Sequence, residues 1–365
     1  MFLGSFSWSF VYVSLPFHIH RISALDEAST LRWTGWILGI SSLVTVLTAP
    51  AWGSLASRGN PKRMFVIVQT LQGVAFFGTA AARTMTELFL ARLLLGSVGA
   101  VSTFAFVGAG RASTDLAAVR REVGAIQSGM TLGQVIGPLI GAITAARLGF
   151  RASCVVGGLI LIACSALVHW GVAEPGPPTE SKSSARRVRI ADVVSVAAIV
   201  LGGSTQIFFF TSVLPQVLPR LGIAQEDALE VGGILIFASG VAIALGAMAA
   251  SRLGEIFPER QLIATLLVAS SLCLAALGTV SSVWLYGILR FLQVLCIAPV
   301  FPIIVARIAL HAGGQAIGFI NSARIAASAI GPVMATSLLA SDLGPLLYVA
   351  LALVGLACLP LVTRR

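Results

Sequence analysis

The chain has 365 residues, 57% of them hydrophobic and 10% charged, with a mean hydropathy of +0.95. A soluble domain carries roughly 25% charged residues, so the composition excludes one. The net charge of +10 does not mark a nucleic-acid surface, because the basic residues are scattered through short breaks between apolar runs. Those runs are continuous rather than alternating, which excludes a membrane β-barrel.

A membrane helix needs about 20 apolar residues. In chain order the runs predict helices at 2–22, 33–56, 64–82, 87–109, 124–146 and 152–172, then 192–215, 229–250, 261–280, 284–306, 317–339 and 345–362. The first run starts at the N-terminus with no basic flank and no small-residue cleavage site, so it reads as a span and not as a signal peptide. Between the two sets lies a polar stretch with Pro175, Pro177 and Pro178, several serines, and Arg186, Arg187 and Arg189. Its composition is that of a linker. The expected organisation is therefore an N-terminal six-helix bundle at 1–173, a cytoplasmic linker at 174–191 and a C-terminal bundle at 192–365.

Lys and Arg set orientation. With the N-terminus inside, fifteen of the 24 fall on the cytoplasmic side, six outside, and Arg92, Arg290 and Arg324 lie within spans. The expected location is the inner (plasma) membrane, with both termini in the cytoplasm. The two halves also repeat. Ile126-Gln127-Ser128 with Ile136-Gly137-Pro138 recurs as Ile320-Asn321-Ser322 with Ile330-Gly331-Pro332, an offset of 194. Arg92 recurs as Arg290 at an offset of 198. Six helices separate the copies, so the repeats run parallel, related by an axis along the membrane normal.

Three motifs carry a family resemblance. Gly53-Ser54-Leu55-Ala56-Ser57-Arg58-Gly59-Asn60-Pro61-Lys62-Arg63 resembles the loop between the second and third helices of the major facilitator superfamily. Ser57 stands where that family has Asp, and Asn60 where it has Gly. Asn tolerates the left-handed conformation that a Gly would supply, so the turn is expected to survive with Asn60 in it. Arg92, Gly96 and Ala100 resemble the family's fourth-helix motif. Gly129, Gly133, Gly137, Pro138 and Gly141 resemble the fifth-helix motif of its antiporter branch. Small residues every fourth position let helix backbones touch, and Pro138 removes one backbone donor.

The resemblance implies two six-helix bundles, alternating access and a small-molecule site near the bilayer midplane. On that frame the cavity candidates are Trp8, Tyr12, Arg92, Gln206, Phe210, Arg290, Gln293 and Asn321. The conformational motifs are Gly53, Arg58, Lys62, Arg63, Gly133, Gly137, Pro138, Gly331 and Pro332. Snorkelling to the external headgroups is the competing account of Arg92. A mid-span arginine costs about 2.5–3.5 kcal/mol on insertion scales, and the echo in Arg290 favours a role for both.

All fourteen carboxylates fall in loops or at helix ends, whereas proton-coupled members of the family carry one in the membrane. His18 and Glu87 are the remaining coupling candidates, since histidine titrates near neutral pH. The five cysteines lie in apolar runs without metal-ligand spacing, and no metal, cofactor or enzymatic nucleophile is expected. The functional expectation is a monomeric secondary transporter exporting small hydrophobic or cationic molecules, in the manner of drug:proton antiporters. A metabolite uniporter or importer, a lipid-moving relative and a non-transporting sensor on the same fold are the alternatives.

Overall fold

Helices account for the regular structure in the described residues of the computed structural model, which are 1–112, 116–173, 190–309, 314–341 and 343–363. Most of the predicted linker, and the basic residues at its end, lie outside them. Eleven helical stretches among the described residues are long and apolar enough to cross a membrane. The first predicted span is two consecutive shorter helices, Phe2–Tyr12 and Leu15–Ile22. Leucines such as Leu47 (71% exposed) and Leu94 (61% exposed) lie open on the helix surfaces, as a lipid-facing side requires.

The second span, Glu27–Arg58, starts where the Asp26 carboxylate accepts the Ser29 backbone N–H at 3.1 Å. That bond, with the Ser29 side chain, holds the Asp26 carboxyl below its ordinary value. The third span, Pro61–Ala81, starts on the resembled loop. Here the structure corrects an expectation. Asn60 is not left-handed; it has φ −86° and ψ 108° and caps the helix, its side chain accepting from Lys62 N at 3.0 Å and Arg63 N at 3.2 Å. Pro61 follows in the first turn, where its missing N–H is not needed. The Asn-Pro pair thus makes a helix start by capping, and no positive φ is required. Arg111 donates from Nη1 to the Gly59 carbonyl at 2.9 Å and from Nη2 to the Ala56 carbonyl at 3.1 Å. It ties the fourth span to this turn. The Ser57 side chain lies outside the described ones, and Arg58 and Arg63 are exposed.

Several predicted spans are broken in two. The fourth is Met85–Ser97 then Val101–Ala112, the seventh Ile190–Phe208 then Phe210–Arg220, and the tenth Val283–Ile297 then Val300–Ala309. The fifth, Leu116–Leu148, and eleventh, Gly314–Leu339, run on through Pro138 and Pro332.

The chain divides into two compact units: Met1–Ala24, Ile40–Ser181 and Leu229–Phe237 in one, and Leu25–Gly39, Lys182–Ala228 and Ala238–Arg365 in the other. In the first unit the fifth span lies backbone to backbone on the first. A Cβ on Gly133 would come 2.6 Å from the Phe2 carbonyl oxygen, and one on Gly137 2.7 Å from that of Phe6. A Cβ on Gly141 would overlap the Phe10 carbonyl oxygen. In the second unit the eleventh span meets the seventh in the same way, and a Cβ on Gly331 would come 2.9 Å from Phe209 N. Real Cβ atoms do not make such approaches, so these glycines set how close the helices pack.

Candidate functional site

Arg92 in the first unit and Arg290 in the second are nearly inaccessible inside spans, and the two have different surroundings.

In the second unit Arg290 is 1% exposed. Its Nη1 donates to the Gln206 carbonyl at 2.9 Å and to Gln293 Oε1 at 2.5 Å, and its Nη2 to the Ile207 carbonyl at 2.8 Å. Residues 206 and 207 precede the break at Phe209, so their carbonyls are those that an unbroken helix would give to residues 210 and 211. Arg290 takes over those acceptors. The guanidinium also lies 4.3 Å from the Phe210 ring centroid and 5.1 Å from that of Phe209.

The amides close the set. Ser270 Oγ donates to Gln206 Oε1 at 2.9 Å, and Gln293 Nε2 donates to Ser270 Oγ at 2.9 Å. Gln206 Nε2 donates to Ser271 Oγ and to the Leu351 carbonyl, both at 3.1 Å. Tyr286 and Tyr348 share a hydroxyl contact of 2.9 Å beside the same rings. Hydrogen bonds to a charged group contribute about 1.5–3 kcal/mol each. Three of them outweigh the roughly 2.5–3.5 kcal/mol cost of an arginine at this depth.

In the first unit Arg92 is 2% exposed. Its guanidinium carbon lies 5.7 Å from the Trp8 ring centroid and 5.8 Å from that of Tyr12. Among the described residues its Nε is buried with no hydrogen-bond partner, and no bond from its Nη atoms accompanies the two ring contacts. The ionisable groups bearing on it are a phenol and a thiol, Tyr12 and Cys154, with no carboxylate. Contacts to ring faces contribute about 0.5–2 kcal/mol each, but they supply no acceptors for the five guanidinium donors.

Hydrogen bonds tie the surrounding helices together. Ser41 Oγ donates to the Arg92 carbonyl at 2.7 Å, and Thr45 Oγ1 to the Gly96 carbonyl at 3.0 Å. A Cβ on Gly96 would come 2.7 Å from Ser41 Cα, which is why that position is glycine. Trp8 Nε1 donates to Gln72 Oε1 at 3.2 Å, and Gln72 Nε2 to the Val98 carbonyl at 2.6 Å. Trp8 and Tyr12 themselves are half-buried.

The other candidates are placed as follows. Gln206, Phe210, Arg290 and Gln293 form one closed, fully buried cluster. Asn321 is exposed and accepts from Arg324 Nε at 3.3 Å, while Arg324 lies over the Phe301 ring at 5.5 Å. His18 stacks on Phe150, centroids 4.0 Å apart and 13° between planes, with its Nε2 buried and unbonded. Glu87 is exposed, and its Oε2 accepts the Arg83 backbone N–H at 2.7 Å while Thr84 Oγ1 accepts Glu87 N at 3.2 Å. It belongs to the start of the fourth span's first helix. The five cysteines are all free thiols.

Sequence reasoning missed Gln72, Ser270, Ser271, Tyr286 and Tyr348. Their signal was available, because each is a polar group inside an apolar run. Trp52 Nε1 donates to the Ser97 carbonyl at 2.7 Å and the ring packs on Phe104.

A helical chain of repeated membrane spans, short connections and charged or amide side chains held between spans is the build of a polytopic membrane transporter. The family model described as Major Facilitator Superfamily matches residues 1–244, more than half of the chain. The chain belongs to that superfamily, a family of transporters, and is a multi-pass membrane protein. Among its relatives, multidrug resistance protein MdtG of Citrobacter koseri is 23% identical over 337 residues, covering 88% of this chain and 80% of that protein. MdtG of Proteus mirabilis is 26% identical over 361 residues, covering 90% and 87%. The uncharacterized MFS-type transporter YuxJ of Bacillus subtilis is 25% identical over 331 residues, covering 87% and 83%. Among solved structures, a bacterial homolog of the human lysosomal transporter Spinster has a TM-score of 0.74 at 15% identity, covering 100% of this chain and 92% of that one. The nucleoside transporter NupG has a TM-score of 0.74 at 11% identity, covering 100% and 97%. At these identities the structures speak for the fold alone.

Proposed function

We propose that the chain is a secondary active exporter of small, largely apolar organic molecules, working by alternating access in the inner (plasma) membrane with both termini cytoplasmic. The observation that carries the cargo reading is the half-buried Trp8–Tyr12 pair beside Arg92, an aromatic wall with a polar anchor inside a span. MdtG relatives that extend over most of both chains support the efflux direction. The Lys/Arg asymmetry supports the orientation. Efflux tests the reading: cells expressing the chain should hold less of an aromatic dye than cells expressing Arg92→Ala at equal protein level. Equal retention would remove the proposal. For topology, a cysteine placed at Asn60 in a Cys-free background should label only from the cytoplasmic side.

A second reading, uncoupled uniport, is favoured by the placement of the coupling candidates. Glu87 serves a helix start, and His18 lies flat on Phe150. If coupling to protons exists, His18 is the first candidate and Glu87 the second. In proteoliposomes with an imposed pH gradient, gradient-driven transport should fail in the His18→Gln, Glu87→Gln double variant. Transport indifferent to the gradient in the wild type makes the chain a uniporter.

A further inference from the structure

We infer that Arg92, with Trp8 and Tyr12, docks the carboxylate of an organic anion whose body is aromatic or otherwise apolar. This rests on the transporter reading above and names its cargo class.

Arg92 is 2% exposed, within the fourth span, and its Nε is buried without an acceptor. No carboxylate bears on it, and the fourteen that the chain has lie in loops or at helix ends. Among the described residues the protein supplies no counter-ion at this point, and an anion that arrives from outside would neutralise the buried guanidinium. Snorkelling would instead leave the head group hydrated at the surface, which its burial contradicts. The edge formed by Nε and a neighbouring Nη is the one that a carboxylate takes with two parallel hydrogen bonds, and among the described residues neither atom of that edge has an acceptor, whereas both Nη atoms of Arg290 do.

The walls fit the remainder of such a molecule. Trp8 and Tyr12 present ring faces to the guanidinium and are themselves half-buried. The Gln72 amide fixes the indole by bonding its Nε1 while anchored to the Val98 carbonyl. The walls are thus held in place without the ligand. A cationic cargo would set like charge against Arg92. The cargo is an anion.

Three isosteres test this: 2-naphthoate, 2-naphthalenemethanol and 2-naphthylmethylammonium share one aromatic body and differ in charge. Binding is measured by titration calorimetry on the full chain in phosphatidylcholine nanodiscs. Naphthoate should bind about tenfold tighter than either isostere, a difference of about 1.4 kcal/mol. Arg92→Gln should erase the preference. Arg92→Lys should keep it while weakening naphthoate about threefold, because the point charge lacks the fork. An alcohol or ammonium that binds the wild type as tightly as naphthoate overturns the inference, whether or not the variants fold. So does a preference that survives Arg92→Gln. Added phosphatidylglycerol should leave naphthoate affinity unchanged; displacement would give the site to a lipid headgroup and overturn the cargo claim. Counterflow of labelled naphthoate in proteoliposomes separates the two readings. Arg92-dependent binding without counterflow overturns transport and keeps the anion site, and counterflow of another solute without naphthoate binding does the reverse.

Discussion

Arg92 and Arg290 occupy matching positions in the two halves, and the protein supplies acceptors to both Nη atoms of one and, among the described residues, to none of the other. Arg290 donates to two backbone carbonyls and an amide, and those acceptors are in turn held by Ser270 and the Gln206 side chain. Arg92 meets two aromatic faces, and among the described residues no acceptor meets its Nη atoms; the Nε of both arginines is buried and unbonded. Burial alone does not separate them, since both are nearly inaccessible. The acceptor inventory does. A buried guanidinium whose two Nη atoms are both held by acceptors is part of the architecture; one with no acceptor at either Nη is available to something that comes and goes. We read the C-terminal arginine as the clamp of a broken helix and the N-terminal one as the contact for cargo.

The sharpest way to break that contrast is Arg290→Met. It strips the donors from the Gln206 and Ile207 carbonyls and from Gln293, and removing one side of such a buried set costs about 3–5 kcal/mol. Thermal unfolding in detergent should show a large drop, and a midpoint within error of the wild type would mean that the clamp bears no load. Gly141→Val comes next. Its Cβ meets the Phe10 carbonyl oxygen, and overpacking of this kind costs about 1–3 kcal/mol. Gly331→Val, whose Cβ has slightly more room at Phe209 N, should cost less. The opposite ranking would show that the two helix pairs do not pack as described.

Smaller again is Ser270→Ala. It leaves Gln206 Oε1 without its donor and Gln293 Nε2 without its acceptor, at about 1–3 kcal/mol. The matched change in the other half, Ser41→Ala, removes a single bond to the Arg92 carbonyl, worth about 1 kcal/mol. Denaturation midpoints of the pair rank the two networks directly. Glu87→Gln should be the mildest, because an exposed helix-start carboxylate contributes about 0.3–1 kcal/mol.

The sequence made the spans legible because membrane helices leave twenty-residue apolar runs. It hid the breaks because apolar residues continue across them. Pro16 and Pro299 marked two of the breaks. Phe209 has neither Pro nor Gly beside it, and the carbonyls at its break are met by Arg290, far along the chain, so no local pattern could announce it. The family loop was legible as a loop, yet its Asn60 was misread as a left-handed residue when Asn-Pro is a capping start. The contrast between the arginines was half written in the sequence. Arg290 has Gln293 three residues on, on the same helix face, where Arg92 has Leu95. Reading the i+3 neighbour would have predicted which arginine had a partner of its own. Its other acceptors come from the seventh span's backbone, which only the fold brings near.

The most direct test of this account is the thermal unfolding midpoint of Arg92→Met, measured with and without 2-naphthoate beside the wild type. Removing a charge that has no partner should leave the midpoint at or above that of the wild type. Naphthoate should raise the wild-type midpoint and leave that of the variant unmoved. A midpoint that falls as far as that of Arg290→Met, or one that naphthoate still raises, would contradict the account.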